Sequence, residues 1–339
     1  KLIKKYNRLL FLSLIILGLY LSSLFNFIPN KSYNYDVTIY RDTWGVPHIY
    51  GITDEDAAYG LAYAHAEDDF DTIFDILLFS RGVSASIKGR ESAPIDYLVG
   101  LLKIWDTVEN KHNTLSPKVI KICNAYADGI NKYIEENPSS ESRQIYPIKG
   151  KDIIAGFALR TPLMFKLDWY ITEIMKKEKP NFSKYSDNLT KHSMHGSNVF
   201  AIAPHRSEDG YTRLAVNSHQ PWEGPVTWYE AHVHSNEGWN ATGGLFPGSP
   251  VILKGYNENL GWSHTVNSPD LVDIYELTIN PDNENQYLLD DKWLDFEIST
   301  LPIKVKLFGP IKWTFKRNIY HSIHGPVLKT EHGVYAIRY

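Results

Sequence analysis

Apolar and polar positions divide this chain into blocks of different period. Residues 9–29, LLFLSLIILGLYLSSLFNFIP, carry no charge and follow Lys1, Lys4, Lys5 and Arg8. A basic stretch leading into an apolar run has the form of a secretory signal. A length of roughly 20 residues also suits a membrane span. Cleaved signals have shorter apolar cores and a small-x-small site, and Ser22-Ser23 makes a poor one. A cleaved signal and an uncleaved anchor with its basic end in the cytoplasm are both open readings. Either places the rest of the chain in a periplasmic or other extracytoplasmic setting.

Period two takes over at residues 36–50. VTIYRD alternates, Trp44-Gly45-Val46-Pro47 supplies turn chemistry and HIYG returns, which predicts a hairpin. DEDAAYGLAYAHAEDDFDTIFDILLF, rich in Ala and acidic at its start, predicts a helix from Asp54 to about Phe79, with Asp54 as its cap. Ile120, Ile122, Tyr126, Ile130 and Tyr133 recur at near-helical spacing and predict a second helix over 116–136. A third begins near Gly150 and runs past Arg160 to Pro162, which breaks or kinks it. Residues 176–195 are polar and aperiodic, the pattern of a linker.

From Ser197 onward strands dominate: NVFAIAP, TRLAVNSH, TWYEAHVHS, WNATGGL, VILKGYN, LGWSHTVN and VDIYELTI, separated by Gly, Pro, Asn and Asp. Helices first and sheet afterwards predict an α+β protein layered around an antiparallel sheet. The expected organisation is a signal or anchor over 1–29, a helical region over 30–175, a linker over 176–196 and a sheet-rich region over 197–339.

Composition adjusts this picture little. Hydrophobic content of 43% and charge of 22% are those of a folded globular protein. The 22 Tyr and 9 Trp suit a sheet core or an apolar pocket. A net charge of -4 gives no footprint for a nucleic-acid partner. Cys123, the single cysteine, has no disulfide partner or zinc co-ligands and reads as a buried thiol. The chain starts with Lys1 rather than Met and stops within the strand-like residues 334–339, so a fragment is expected.

Candidate chemistry concentrates at His195-Gly196-Ser197-Asn198. Alone, Gly-Ser before a strand is an ordinary turn. HGSNVFAIAP, however, resembles the maturation site of the penicillin acylase family of N-terminal-nucleophile hydrolases, whose precursors split before the Ser of a G-S-N motif. RDTWGVPHIYG and DEDAAYGLAYAHAEDD resemble the start of that family's α chain. WYEAH, FPGSP and TVNSPDLVDIYEL resemble parts of its β chain, in the same order. The match runs from Asp36 to the end, and it is closest to the acyl-homoserine lactone and cephalosporin acylases.

The resemblance implies a four-layer αββα sandwich, incomplete here, and self-cleavage between Gly196 and Ser197 into α and β chains. It implies Ser197 as the nucleophile for a small-molecule acyl amide, through a seryl ester. A freed α-amine titrates near pH ~8 and can take the hydroxyl proton without a separate base. By the same resemblance His219 orients and tunes that amine, and the backbone N–H of Val266 is an oxyanion donor. The family's second donor falls beyond Tyr339, and Asn267 does not replace it. Asp270, Asp273, the Val272 carbonyl and, less directly, Glu173 match a structural calcium site, whose hard oxygens suit that ion. No organic cofactor is implied.

Against a catalytic zinc, no HExxH occurs, the H-x-H of His232 and His234 has no third ligand nearby in sequence, and His48, His65, His205 and His264 are scattered. The alternative function is a non-catalytic, truncated remnant tethered to the membrane.

Overall fold

A computed structural model describes Ser13 and residues 31–182, 196–266 and 269–339. The apolar segment 9–29 lies outside the described residues apart from Ser13, as do His195, Asn267 and most of the linker. Among the described residues no helix is long and apolar enough to cross a membrane.

The helical half begins with the expected hairpin, β1 (Val37–Arg41) and β2 (Pro47–Gly51), antiparallel with Ile39 opposite Ile49. Its turn passes through Gly45, whose φ of 85° favours a residue without Cβ. Helix α1 (Asp54–Arg81) follows. The sequence assigns its cap to Asp54, but Thr53 is the N-cap. The Thr53 hydroxyl accepts from the Asp56 N–H, and the Asp56 carboxylate accepts from the Thr53 N–H, a closed capping box. Asp54 instead reaches away from the helix end, accepting from Ser235 and pairing with Lys118. At the other end Gly82, at φ 65°, donates to Leu78 and Phe79 carbonyls and stops the helix.

Six more helices complete this half among the described residues: α2 (Ala85–Lys88), α3 (Ala93–Leu101), α4 (Ile104–Lys111), α5 (Pro117–Glu136), α6 (Gly150–Met164) and, last, α7 (Leu167–Ile174). Pro162 lies inside α6, which continues to Met164. Helix α5 crosses α1 where Gly129 meets the Tyr59 carbonyl; a Cβ there would stand 2.3 Å from that oxygen. Tyr126, Ile130 and Ile134 of α5 bury themselves against Leu61, Ala62 and Leu77 of α1. Each such side chain contributes roughly 1.5–3 kcal/mol on removal from water.

The sheet-rich half contributes β3 (Ser197–Ile202), β4 (Arg213–Ser218), β5 (Tyr229–Ser235), β6 (Asn240–Leu245), β7 (Lys254–Tyr256) and β8 (Gly261–Trp262). Strands β5 to β8 join the N-terminal hairpin in one six-stranded sheet, ordered β1-β2-β5-β6-β7-β8. The expectation of an antiparallel sheet is corrected at one seam: β2 and β5 run parallel, with Ile49 opposite Val233. Parallel neighbours need a long crossover, and here the whole helical half and the β3–β4 pair intervene. Ile49, Ala231, Val233, Ala241 and Leu245 form the inner face of this sheet, packed on α1 and α5.

Farther along lie β9 (Asp273–Glu276), β10 (Ile279–Asn280), β11 (Asn283–Leu289) and β12 (Lys292–Asp295), then the long hairpin β13 (Glu297–Phe308) and β14 (Ile311–Ser322), β15 (Gly325–Thr330) and β16 (Gly333–Arg338). The order β13-β14-β15-β16-β9 makes a five-stranded sheet whose Ile319 and Ile337 meet Leu101, Leu159 and Leu167 of α3, α6 and α7. The α+β class read from the sequence is the one observed.

Candidate active site

Two strands hold the candidate nucleophile. β3 and β4 form their own antiparallel pair, with Ser197 opposite Ser218 and Asn198 opposite Asn217. Between them a turn is tied by Ser207, whose hydroxyl donates to the Tyr211 carbonyl at 2.7 Å. The ladder extends one step beyond the strands, where the His219 N–H donates to the Gly196 carbonyl at 3.1 Å. The Ser197 hydroxyl donates to that same oxygen at 2.5 Å. Two donors thus converge on the carbonyl of the Gly196–Ser197 peptide bond, one of them from the serine that follows it.

The His219 ring faces Gly196, where a Cβ would stand 3.3 Å from Nδ1. The side-chain amides of Asn198 and Asn217 each approach its Nε2 at 3.3 Å. Amide nitrogens donate, so Nε2 is the acceptor and Nδ1 carries the hydrogen in the neutral ring. Alternation along a strand puts Ser197 and Asn198 on opposite faces. The His219 ring shares the face of the two asparagines, and it reaches Ser197 through the Gly196 carbonyl. In the sequence Asn198 figures only as part of the G-S-N motif, without a role, and Asn217 is not singled out. Their signal is the register, in which one lies directly across from the other.

The remaining expected residues are placed as follows. Val266 lies in coil after β8, 53% exposed, and its N–H shares no hydrogen bond with Ser197 or His219 among the described residues. Asp270 and Asp273 are exposed and Val272 is buried. Glu173, on α7, is a buried carboxylate that pairs with Lys176 and accepts from the Asn181 N–H at 3.1 Å. Among the described residues no three His, Cys, Asp or Glu side chains converge as a metal cage. Cys123 is buried, and burial pushes its thiol up to about 11, the inert state expected. The H-x-H pair divides: His232 meets His48 across the parallel seam, and His234 lies beside Tyr50.

Downstream of His219 the chain turns back over α1. Residues 222–229 and the second half of that helix enclose a cleft of about 730 Å³, lined among others by Asp69, Asp75, Phe79, Trp222 and Trp228. His65 lines it from below, fully buried and stacked on Tyr229 with ring centroids 3.7 Å apart. Neither of its ring nitrogens has a hydrogen-bond partner, and burial lowers its pKa to about 3.

A family model described as penicillin amidase matches residues 36–339. Acyl-homoserine lactone acylase PvdQ of Pseudomonas fluorescens is 24% identical over 341 residues, covering 93% of this chain and 43% of the relative. Acyl-homoserine lactone acylase QuiP of Pseudomonas aeruginosa is 25% identical, covering 90% of this chain and 41% of the relative. The chain therefore spans about two fifths of the length of the curated relatives it matches. A thermostable penicillin G acylase from Alcaligenes faecalis overlaps in structure at a TM-score of 0.35 and 24% identity, over 41% of this chain and 25% of that one. An overlap so partial carries no argument.

Proposed function

The chain belongs to the penicillin amidase family, and from that premise we propose that it is a self-processing amide hydrolase with Ser197 as nucleophile. The observation that supports this most is the meeting of the Ser197 hydroxyl, the Gly196 carbonyl and the His219 N–H.

In the processing step, Ser197 Oγ adds to the Gly196 carbonyl carbon. The charge that develops on the carbonyl oxygen falls where the His219 N–H already donates, so the stabilising dipole needs no reorganisation. Collapse breaks the Gly196–Ser197 C–N bond, the hydroxyl proton passes to the departing nitrogen, and a Gly196 ester remains on Ser197. Water hydrolyses that ester, leaving a Gly196 carboxylate and a Ser197 with a free α-amine. The α chain then comprises residues 30–175 with the 176–196 linker at its end, and the β chain starts at Ser197.

In turnover, the α-amine takes the Ser197 hydroxyl proton, directly or through one water, as Oγ attacks the acyl carbonyl of the substrate. The amine product leaves with a proton, and water releases the acyl group from the ester. His219, held by Asn198 and Asn217, orients the α-amine. The Val266 N–H serves as a donor to the substrate oxyanion. Relatives named as acyl-homoserine lactone acylases, with a histidine at position 219, favour an aliphatic acyl amide as substrate.

A calcium ion belongs to the same proposal. Asp270, Asp273, Glu173 and the Val272 carbonyl offer the oxygen chemistry it prefers. Lys176 now neutralises Glu173, so an ion there displaces an ammonium. Residues 1–29 export the protein, as a signal or an anchor.

Product analysis by chromatography tests the activity. Wild-type protein from its complete reading frame should release fatty acid from long-chain N-acyl-homoserine lactones, and Ser197→Ala should lose at least about a thousandfold of that rate. Undiminished hydrolysis by Ser197→Ala would refute the assignment.

A further inference from the structure

We infer that the tip of the β13–β14 hairpin docks on the surface of an anionic phospholipid bilayer. At that tip Leu307, Phe308, Ile311 and Trp313 are between 47% and 68% exposed. Nearer the body of the protein, Ile303 and Val305 of β13 are buried against Ala85 of α2. Trp313 lies directly opposite Val305, and Phe315 opposite Ile303, so both extend that apolar face beyond the cover of α2. A contiguous apolar patch with a polar rim marks an interaction surface.

Charge names the partner. No Asp or Glu occurs between Glu297 and Glu331, although the chain as a whole carries -4. Lys304, Lys306, Lys312, Lys316 and Arg317 flank the tip instead. Lys306 and Lys312 are direct cross-strand partners, and like charges so placed destabilise a ribbon standing alone. Burial, and after it the charges of Lys304 and Lys306, lower the pKa of Lys312. An anionic surface relieves this repulsion. Lipid phosphates take the ammonium groups, while the lysine stems and the apolar tip enter the boundary beneath them. Trp313 suits that boundary, with an apolar ring and a polar N–H.

The hairpin also stands close to where the apolar run 9–29 gives way to the described chain at Lys31. Lys31 donates to Asp128 of α5 at 2.8 Å, and the Tyr33 hydroxyl donates to Glu135 of the same helix at 2.5 Å. Tyr146 donates to that same Glu135 at 2.8 Å. Two residues before Tyr146, the Gln144 side-chain oxygen accepts from Lys312 Nζ at 2.6 Å. One carboxylate and one short turn therefore link the first described residues to the basic hairpin. A membrane-directed segment over 9–29 brings the bilayer to this side of the protein. For that placement alone the inference rests on the export reading of residues 1–29, and the charge and exposure of the tip do not depend on it.

Protein from its complete reading frame is sedimented with vesicles of phosphatidylglycerol mixed with phosphatidylcholine, or of phosphatidylcholine alone. The bound fraction is then oxidised by hydroxyl radicals and mapped by peptide mass spectrometry. On the anionic vesicles, oxidation of Phe308 and Trp313 should fall roughly fivefold or more, and that of the exposed Phe200 should stay as in solution. Protein held on phosphatidylcholine by residues 9–29 should show no such protection. Lys304→Glu combined with Lys316→Glu, both at exposed positions, should abolish it. If the N-terminal segment does not anchor, binding to phosphatidylcholine is lost and the anionic footprint remains, which separates that reading from this one. The wild-type footprint needs no variant, so a misfolded variant leaves it intact. Absence of binding to either vesicle, or a bound Trp313 that oxidises as in solution, would overturn the proposal. Equal protection on both vesicles, equal protection of Phe200, undiminished protection in the double variant or a Trp313 already shielded without vesicles would do the same.

Discussion

The α1–α5 core and the β3–β4 ribbon differ in how much of each residue is committed to packing. In the core, Leu61, Ala62, Tyr126 and Ile130 are wholly enclosed, and Gly129 lets the two helices approach to backbone contact. In the ribbon, exposure continues along both strands, and Phe200 remains 63% exposed. Yet the ribbon carries Ser197 and His219, and the core carries none of the proposed chemistry. Stability and reactivity are thus assigned to different elements, joined through residues 219–228 between β4 and β5. Substitutions in one region should leave the other property almost untouched.

The largest stability effect belongs to the core. Leu61→Ala should cost about 2–5 kcal/mol, because the enclosed site cannot collapse around the loss. Urea denaturation measures it, and a cost below about 1 kcal/mol would mean that α1 and α5 are less closely packed than described.

Next comes pH. His65 is held neutral by burial, with its pKa lowered from 6.5 to about 3. The unfolded chain therefore takes up this proton at higher pH than the folded one. Stability from the neutral ring is complete above about pH 6.5 and declines as pH falls toward about 3, by about 2–3 kcal/mol near pH 4.5. Urea midpoints at about pH 7 and 4.5 should fall further for wild type than for His65→Phe, which keeps the stack on Tyr229. Identical slopes in the two proteins would contradict a buried, unpartnered imidazole.

Within the ribbon, Gly196→Ala brings a methyl within 3.3 Å of the His219 ring. Self-cleavage should slow roughly tenfold as the His219 N–H is displaced from the carbonyl it serves. A time course on gels reads this, and an unchanged rate would detach His219 from the processing step. The smallest effect is expected at Phe200→Ala: within about 0.5 kcal/mol of wild type in the same denaturation assay.

Sequence patterns located the elements better than their pairing. Helices expected over 54–79 and 116–136 are found at Asp54–Arg81 and Pro117–Glu136, because long runs with periodic burial announce themselves. VTIYRD and HIYG pair as expected, and TRLAVNSH and TWYEAHVHS contain β4 and β5. The seam between β2 and β5 was not legible, since two strands separated by the entire helical half leave no local mark. The amphipathic hairpin of β13 and β14 and the short helices α3, α4 and α7 were not read from the pattern either. Their burial depends on each other rather than on a strong period. At the site, Ser197 and His219 were legible through motif resemblance and are brought together through Gly196. Asn198 and Asn217 required the register. Residues 1–29, apart from Ser13, and His195 fall outside the described structure, and the export expectation rests on sequence.

Self-cleavage at Ser197 is the claim on which the proposed function depends. Amino-terminal sequencing of the mature protein, expressed from its complete reading frame beside Ser197→Ala, tests it most directly. The account predicts a second chain in the wild type that begins Ser197-Asn198-Val199-Phe200, and a single uncut chain in the variant. A wild type that stays in one piece, or a cut at another bond that survives Ser197→Ala, would contradict it.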